Sequence, residues 1–214
     1  MLTNNQEHST LSHLRQTAFD VVAMAASSGG LRALSQILSA LPSDFPAAIT
    51  VVQHLHSQYP SLMADILSRC TTLTVKQASS GDQLRPRTVY IAPPNKHLLV
   101  NPDGTLFLSN SEKVNFVRPS ADVLFESVAA SFKERALAVV LTGRGCDGAR
   151  GVQAIKKMGG TVLAQDQATS KFFGMPNAAI DTGSVDLIRP LNQIAFALET
   201  LVMTAQAAPT LETG

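Results

Sequence analysis

The stretch Phe19–Leu34, FDVVAMAASSGGLRAL, constrains this chain more than any other. Its first half is a run of small and β-branched apolar residues, the pattern of a buried strand. Ser27-Ser28-Gly29-Gly30 follows, and then Leu31, Leu34, Leu38 and Leu41 recur at helical spacing. The sequence therefore predicts a strand, a tight glycine turn and a helix start. At such a junction the first helical N–H groups have no partner within the helix, and the helix dipole favours negative charge. Three readings of the turn stay open on this segment alone. A serine caps the helix, the turn cradles a phosphate, or a serine hydroxyl stands beside ready-made oxyanion donors.

Downstream, the same alternation continues. Ala47–Gln53 predicts a strand ending at His54-Leu55-His56, and Pro60 opens a helix to about Arg69 with Leu62, Ile66 and Leu67 on its apolar side. Leu73–Gln77 and Thr88–Ala92 read as strands. His97–Asn101 and Thr105–Ser109 flank Pro102-Asp103-Gly104, whose proline and glycine suit a hairpin turn. A helix is expected from Ser120 to Lys133, with Leu124, Phe125, Val128 and Ala129 inward. A strand at Ala136–Thr142, the turn Gly143–Gly148 and a helix to Met158 come next. Thr161–Gln165, Met175–Asp181, Val185–Ile188 and Leu191–Ala205 read as strand, short helix, short strand and closing helix. Near-continuous apolar strands alternating with helices imply an α/β fold: a doubly wound, mostly parallel sheet flanked by helices, with one antiparallel hairpin inserted. Residues 1–18 read as a polar leader with a short helix at Leu11–Gln16, and 206–214 as a flexible tail. The domain is expected to span 19–205.

Composition narrows the function classes. The 214 residues are 45% hydrophobic and 15% charged, enough for a well-buried core. A net charge of +1 gives no electrostatic pull toward nucleic acid or an anionic membrane. No segment is apolar enough to span a bilayer, and the leader lacks the core of a signal peptide. Cys70 and Cys146 have no metal spacing. Reduced thiols and a cytoplasmic location are expected. Cys146 reads as a small buried thiol.

In a parallel α/β sheet, sites gather at the carboxyl ends of strands. Ser27, His54 and Asp147 each follow a predicted strand. Together they are the set needed for acyl transfer: a serine that attacks, a histidine that shuttles its proton, and an aspartate that fixes the imidazole. Each also has a plain structural reading. Ser27 and Asp147 stand where N-caps stand, and His54 suits a loop hydrogen bond. His54 and His56, with Asp147 or His97, have the donor types of a three-ligand zinc site, but no cysteine or acidic cluster supports it. His97 is expected to satisfy a hydrogen bond in the hairpin. Neither a metal nor another cofactor is expected.

Seven motifs carry a resemblance over about Asp20 to Leu198: AASSGG at Ala25–Gly30, QH at Gln53-His54, YIAPPNKHL at Tyr90–Leu98, RPSADVLFES at Arg118–Ser127, LTGRGCDGARG at Leu141–Gly151, AQD at Ala164–Asp166 and GMPNAA at Gly174–Ala179. In these the sequence resembles the catalytic domain of the CheB family, the chemotaxis protein-glutamate methylesterases. The resemblance implies Ser27 as nucleophile, His54 as base and Asp147 as orienting acid. It implies hydrolysis of glutamyl methyl esters on the cytoplasmic segments of chemoreceptors, with release of methanol. It also implies deamidation of receptor glutamines, with ammonia as leaving group, and a fold in which a hairpin replaces one crossover. A reading from a different class is a non-catalytic adaptor of the same fold that binds receptor or regulator.

The chain departs from that family's pattern in four places. Ala25 stands where glycine is usual, which keeps the strand end small. Ser28 stands where threonine is frequent, which keeps a hydroxyl and makes Ser28 a candidate oxyanion or positioning contact. Arg144 stands where methionine is usual. The family uses that residue's backbone N–H for the oxyanion, a donor that survives a change of side chain. The fourth departure is at the N-terminus, where residues 1–18 are too few for the family's phosphorylated receiver domain. The chain is then an excised fragment or a stand-alone esterase, and activity without a phosphodonor is expected; dependence on acetyl phosphate contradicts that expectation. The Arg144 side chain is expected to attract an acidic receptor segment, or alternatively to slow release of the new carboxylate. Comparing Arg144→Met with the parent tests both, and unchanged steady-state constants at low salt remove the idea.

Overall fold

The computed structural model describes residues 19–54 and 61–203. The expected leader with its Leu11–Gln16 helix, His56, the Pro60 helix start and the 206–214 tail lie outside these residues. The elements run in the order β1 (Val21–Ala26), α1 (Gly30–Ala40), β2 (Ala48–Gln53), α2 (Met63–Ser68), β3 (Thr74–Gln77), β4 (Thr88–Ile91), β5 (His97–Val100), β6 (Leu106–Ser109), α3 (Ala121–Phe132), β7 (Ala136–Val140), α4 (Ala149–Lys157), β8 (Thr161–Gln165), α5 (Gly174–Asp181), β9 (Leu187–Arg189) and α6 (Leu191–Met203). No helix among the described residues is long and apolar enough to cross a membrane.

Every residue of β1 is buried, because side chains alternate across a strand and both faces of this one are covered. Val22, Met24 and Ala26 enter one core cluster with Leu34, Ile37, Leu38 and Leu198 of α1 and α6. Val21, Ala23 and Ala25 enter a second with Leu124, Phe125 and Val128 of α3 and Val152 and Ile155 of α4. This is why the sequence of β1 shows no polar alternation.

Seven strands form one sheet in the order β3-β4-β2-β1-β7-β8-β9. All six pairings are parallel. The hairpin β5–β6 is a separate antiparallel pair. The β3–β4 connection contains no helix. Instead it lies along β6, with Gly81 N–H donating to Leu106 O and Leu106 N–H to Asp82 O. From β1 the chain winds to one side of the sheet, and from β7 it winds to the other. The reversal falls between β1 and β7, where open α/β sheets place their ligands.

Element limits differ from expectation mostly at their ends. The second helix begins at Met63 and buries Met63 and Leu67, while Leu62 and Ile66 are exposed. Leu62 is the N-cap, ahead of the helix, and Met63 and Leu67, four residues apart, form its inward stripe. The inward face of α1 is Ala33, Leu34, Ile37 and Leu38, with Leu31 turned outward. The last strand is Leu187–Arg189 rather than Val185–Ile188. On α3, Leu124, Phe125, Val128 and Ala129 are buried as expected.

Helices α3 and α4 meet N-terminus to N-terminus and exchange caps. Neither first turn is capped by a side chain from its own N-cap residue. Asp147, which precedes α4, accepts the N–H groups of Ala121 (2.6 Å) and Asp122 (3.2 Å) on α3. Asp122 in turn accepts the N–H groups of Gly148 (3.0 Å) and Gly151 (2.8 Å). The helices approach closely because Gly151 has no side chain; a Cβ there would lie 2.6 Å from the Cβ of Phe125. Each carboxylate thus sits in the positive field of the opposite helix.

The two carboxylates titrate in opposite directions. For Asp147, burial alone raises the pKa, but hydrogen bonds from His54, the Ala121 N–H and the Ser120 hydroxyl bring it below the ordinary value of 3.8. For Asp122, burial and the neighbouring Asp147 charge outweigh its two backbone donors and hold it above 3.8. Asp147 therefore contributes stability that is present above 3.8 and lost on acidification below it. Asp122 contributes stability that is present below 3.8 and lost as pH rises through its folded value. Asp122→Asn keeps an oxygen for the Gly148 and Gly151 N–H groups. Its urea-measured stability is expected to fall less than the parent's between pH ~4 and ~7; an equal fall refutes the assignment.

Candidate active site

The loop after β1 is held from three directions. Gln53 at the end of β2 donates from Nε2 to Ser27 O (2.8 Å) and His54 O (3.1 Å). Gly30 N–H also donates to Ser27 O (2.8 Å), and Ser27 N–H donates to Thr142 O (3.0 Å) beyond β7. The Thr142 hydroxyl lies 3.0 Å from Ser28 O and receives the Phe172 N–H at 2.9 Å. Gln53 Oε1 has no hydrogen bond among the described residues and lies so close to Gly30 that a Cβ there would come within 2.0 Å of it. Only glycine fits at 30. The N-cap of α1 is Gly29 in the left-handed region (φ 86°), and no side chain caps the helix. Ser27 and Ser28 are therefore not caps, and their hydroxyls are not spent on the helix.

Parallel pairing brings the serine and the histidine together. Ala26 pairs with Gln53, the last rung of β1 and β2. The next residue on each strand is Ser27 and His54, and His54 N–H donates to Ala26 O at 3.1 Å. His54 Nε2 makes a 2.7 Å hydrogen bond to Asp147 Oδ2. With Nε2 committed, Nδ1 is the nitrogen left to take a proton. Ser27 Oγ stands outside this pair, with no hydrogen bond among the described residues; catalytic contacts of this kind often close only around substrate.

Asp147 is 4% exposed and fully engaged. Oδ2 faces His54 and the Ala121 N–H, while Oδ1 accepts from the Ser120 hydroxyl (2.7 Å) and the Asp122 N–H. Asp147 does not cap the helix that follows it, whose N-cap is Gly148 with no side-chain bond; its carboxylate instead receives the first N–H groups of α3. An ionised carboxylate held at a helix N-terminus fixes the orientation of the imidazole bonded to it.

Two backbone donors in the loops after β1 and β7 are unspent. The N–H groups of Ser28 and Arg144 make no hydrogen bond among the described residues. The exposed Arg144 side chain lies over the Phe172 ring, 4.4 Å from its centre. Cys146, expected to be buried, is exposed, because the turn directs the following Asp147 inward. His97 cannot serve a metal: it is fully buried, with Nδ1 accepting from Ser120 N–H (3.1 Å) and Nε2 donating to Glu112 O (2.9 Å). It therefore ties the hairpin to the start of α3 rather than bonding within the hairpin. No group of three metal-ligating side chains occurs among the described residues, and His56 lies outside them.

The roles of Ser120, Asp122, Gln53 and Thr142 are not predicted by the sequence patterns above. The signal was present in the Arg118–Ser127 and Gln53-His54 motifs. Their roles depend on which helix end meets which loop, and spacing does not reveal that.

A model of the CheB methylesterase family matches residues 22–198. The chain is 42% identical over 195 residues to a protein-glutamate methylesterase/protein-glutamine glutaminase of Moorella thermoacetica, covering 89% of this chain and 46% of that protein. It is 37% identical over 177 residues to a putative protein-glutamate methylesterase/protein-glutamine glutaminase of Leptospira interrogans, covering 83% of this chain and 92% of that one. It also resembles the crystal structure of the Thermotoga maritima CheB methylesterase catalytic domain, with a TM-score of 0.83 and 40% identity over 86% of this chain and 99% of that one. The chain spans about half the length of the first curated relatives it matches. Because the family match runs through both halves of the sheet and every loop described above, the chain belongs to the CheB methylesterase family.

Proposed function

We propose that the protein hydrolyses methyl esters of glutamate side chains on the cytoplasmic segments of chemoreceptors, releasing methanol, and deamidates receptor glutamines by the same route. The cytoplasm is then its setting, and 19–205 its catalytic unit. The observation that carries the reading is the 2.7 Å His54–Asp147 bond on the strand next to Ser27, with the carboxylate capping α3. The names of the relatives supply the substrate class.

In the proposed reaction Ser27 Oγ attacks the ester carbonyl carbon and its proton passes to His54 Nδ1. The carbonyl oxygen becomes an oxyanion that accepts from the Ser28 and Arg144 N–H groups. His54 returns the proton to the methoxy oxygen, the C–O bond breaks, and methanol leaves. Water, deprotonated by His54, then attacks the acyl-enzyme; the glutamate carboxylate departs and Ser27 regains its proton. With a glutamine substrate the protonated leaving group is ammonia. Ser120 and the first turn of α3 position Asp147, and Gln53 and Gly30 position Ser27.

Methyl-labelled receptor membranes provide the test. The parent is expected to release methanol with or without chelator, and Ser27→Ala to lose at least ~10⁴-fold in rate. Asp147→Asn is expected to lose ~10³- to 10⁴-fold, since the imidazole tautomer is no longer fixed. No release by the parent favours an adaptor, and inhibition by chelator favours a metal-dependent hydrolase. Gly30→Ala is expected to lower kcat at least ~10-fold, because the new methyl displaces the Gln53 amide that holds Ser27 O. An unchanged rate removes Gln53 from the positioning role.

A further inference from the structure

Beside Ser27, on the α1 side and away from the His54–Asp147 pair, lies an open cleft of about 890 Å³. It runs between the first turn of α1 and the loop 169–171 toward the start of α6. Its lining includes two cations, Arg32 and Lys171, with Gln36 and Asn192 further along, and no aspartate or glutamate. Both cations are exposed, and neither has a carboxylate partner among the described residues. Lys171 borders the nucleophile's own turn: a Cβ on Gly29 would lie 3.1 Å from the Cβ of Lys171.

A second observation comes from Phe172. Its ring carries Arg144 at 4.4 Å and Lys171 at 5.9 Å from its centre. Two like charges drawn to one aromatic ring repel each other, and the electron-rich ring offsets that only in part. Lys171, the member of the pair that lines the cleft, therefore gains when an anion enters beside it. The chain as a whole is close to neutral, so this concentration of positive charge belongs to the site and not to the surface in general.

An ester carbonyl is neutral and needs no cation for binding. We propose that the cleft is a carboxylate-recognition subsite, in which Arg32 and Lys171 hold an unesterified acidic side chain of the protein substrate that flanks the target ester. The proposal rests on the esterase reading above and adds what selects the substrate. Because the flanking carboxylate has the same charge before and after reaction, the subsite acts on binding and leaves the chemical step alone.

The test uses two synthetic peptides, each with one glutamyl methyl ester, flanked by glutamates in one and by glutamines in the other. The neutral ester p-nitrophenyl acetate is a third substrate. The parent is expected to show a KM about fivefold or more lower for the glutamate-flanked peptide, a difference that shrinks with added salt. The double variant Arg32→Ala/Lys171→Ala is expected to lose that difference, with kcat and p-nitrophenyl acetate turnover unchanged. A charge reversal, Arg32→Glu/Lys171→Glu, is expected to invert the preference. Equal KM values for the two peptides in the parent, or a preference that survives in the double variant, overturn the subsite and leave the esterase reading standing. No hydrolysis of any of the three by the parent overturns both.

Discussion

The organisation of the site depends on the carboxylate of Asp147 at the N-terminus of a helix that is not its own. Burial alone would drive this group toward its neutral form. Two N–H groups of α3, the Ser120 hydroxyl and the His54 imidazole keep it ionised instead. Its partner, Asp122, stabilises the start of α4 in return. The exchange locks two helices on one face of the sheet and fixes the position of a charge at its edge. A buried carboxylate with every lone pair directed has little freedom to turn, so the imidazole bound to it is oriented as well.

The Ser27 side of the site is built by backbone rather than by charge. Ser27 is held through its carbonyl and its N–H, by Gln53, Gly30 and Thr142. None of these contacts uses the hydroxyl. The sheet sets the separation between serine and histidine, since both follow directly on the last paired rung of β1 and β2. A side chain at 30 would disturb this arrangement without touching the reacting atoms. The two halves of the site therefore fail in different ways: the acid half through electrostatics, the serine half through packing.

Beyond the reacting groups the surroundings are positive. Arg144 lies over the Phe172 ring beside Lys171. Its backbone N–H makes no hydrogen bond among the described residues, so the proposed oxyanion contact does not depend on the side chain. In this reading oxyanion stabilisation is assigned to main-chain groups and selection of the substrate to exposed side chains, which vary at lower cost to the fold.

Much of this was legible in the sequence for simple reasons. A six-residue apolar run without alternation requires a strand covered on both faces, and the strand–helix rhythm requires parallel connections. Ser27, His54 and Asp147 were visible as residues at strand ends, because period and turn chemistry are local properties. The exposure of Leu62, Ile66 and Cys146 was not visible, since it depends on the length of α2 and on which way one turn faces. The exchange of caps between α3 and α4, the clamp of Gln53 on Ser27 O and the engagement of both His97 nitrogens were likewise set by tertiary structure alone. Each joins groups at least 15 residues apart. The local sequence determined which side chains stand at the rim of the sheet; only the packing of helix ends against loops decided what each of them bonds, because hydrogen bonds form between groups near in space, whatever their distance along the chain.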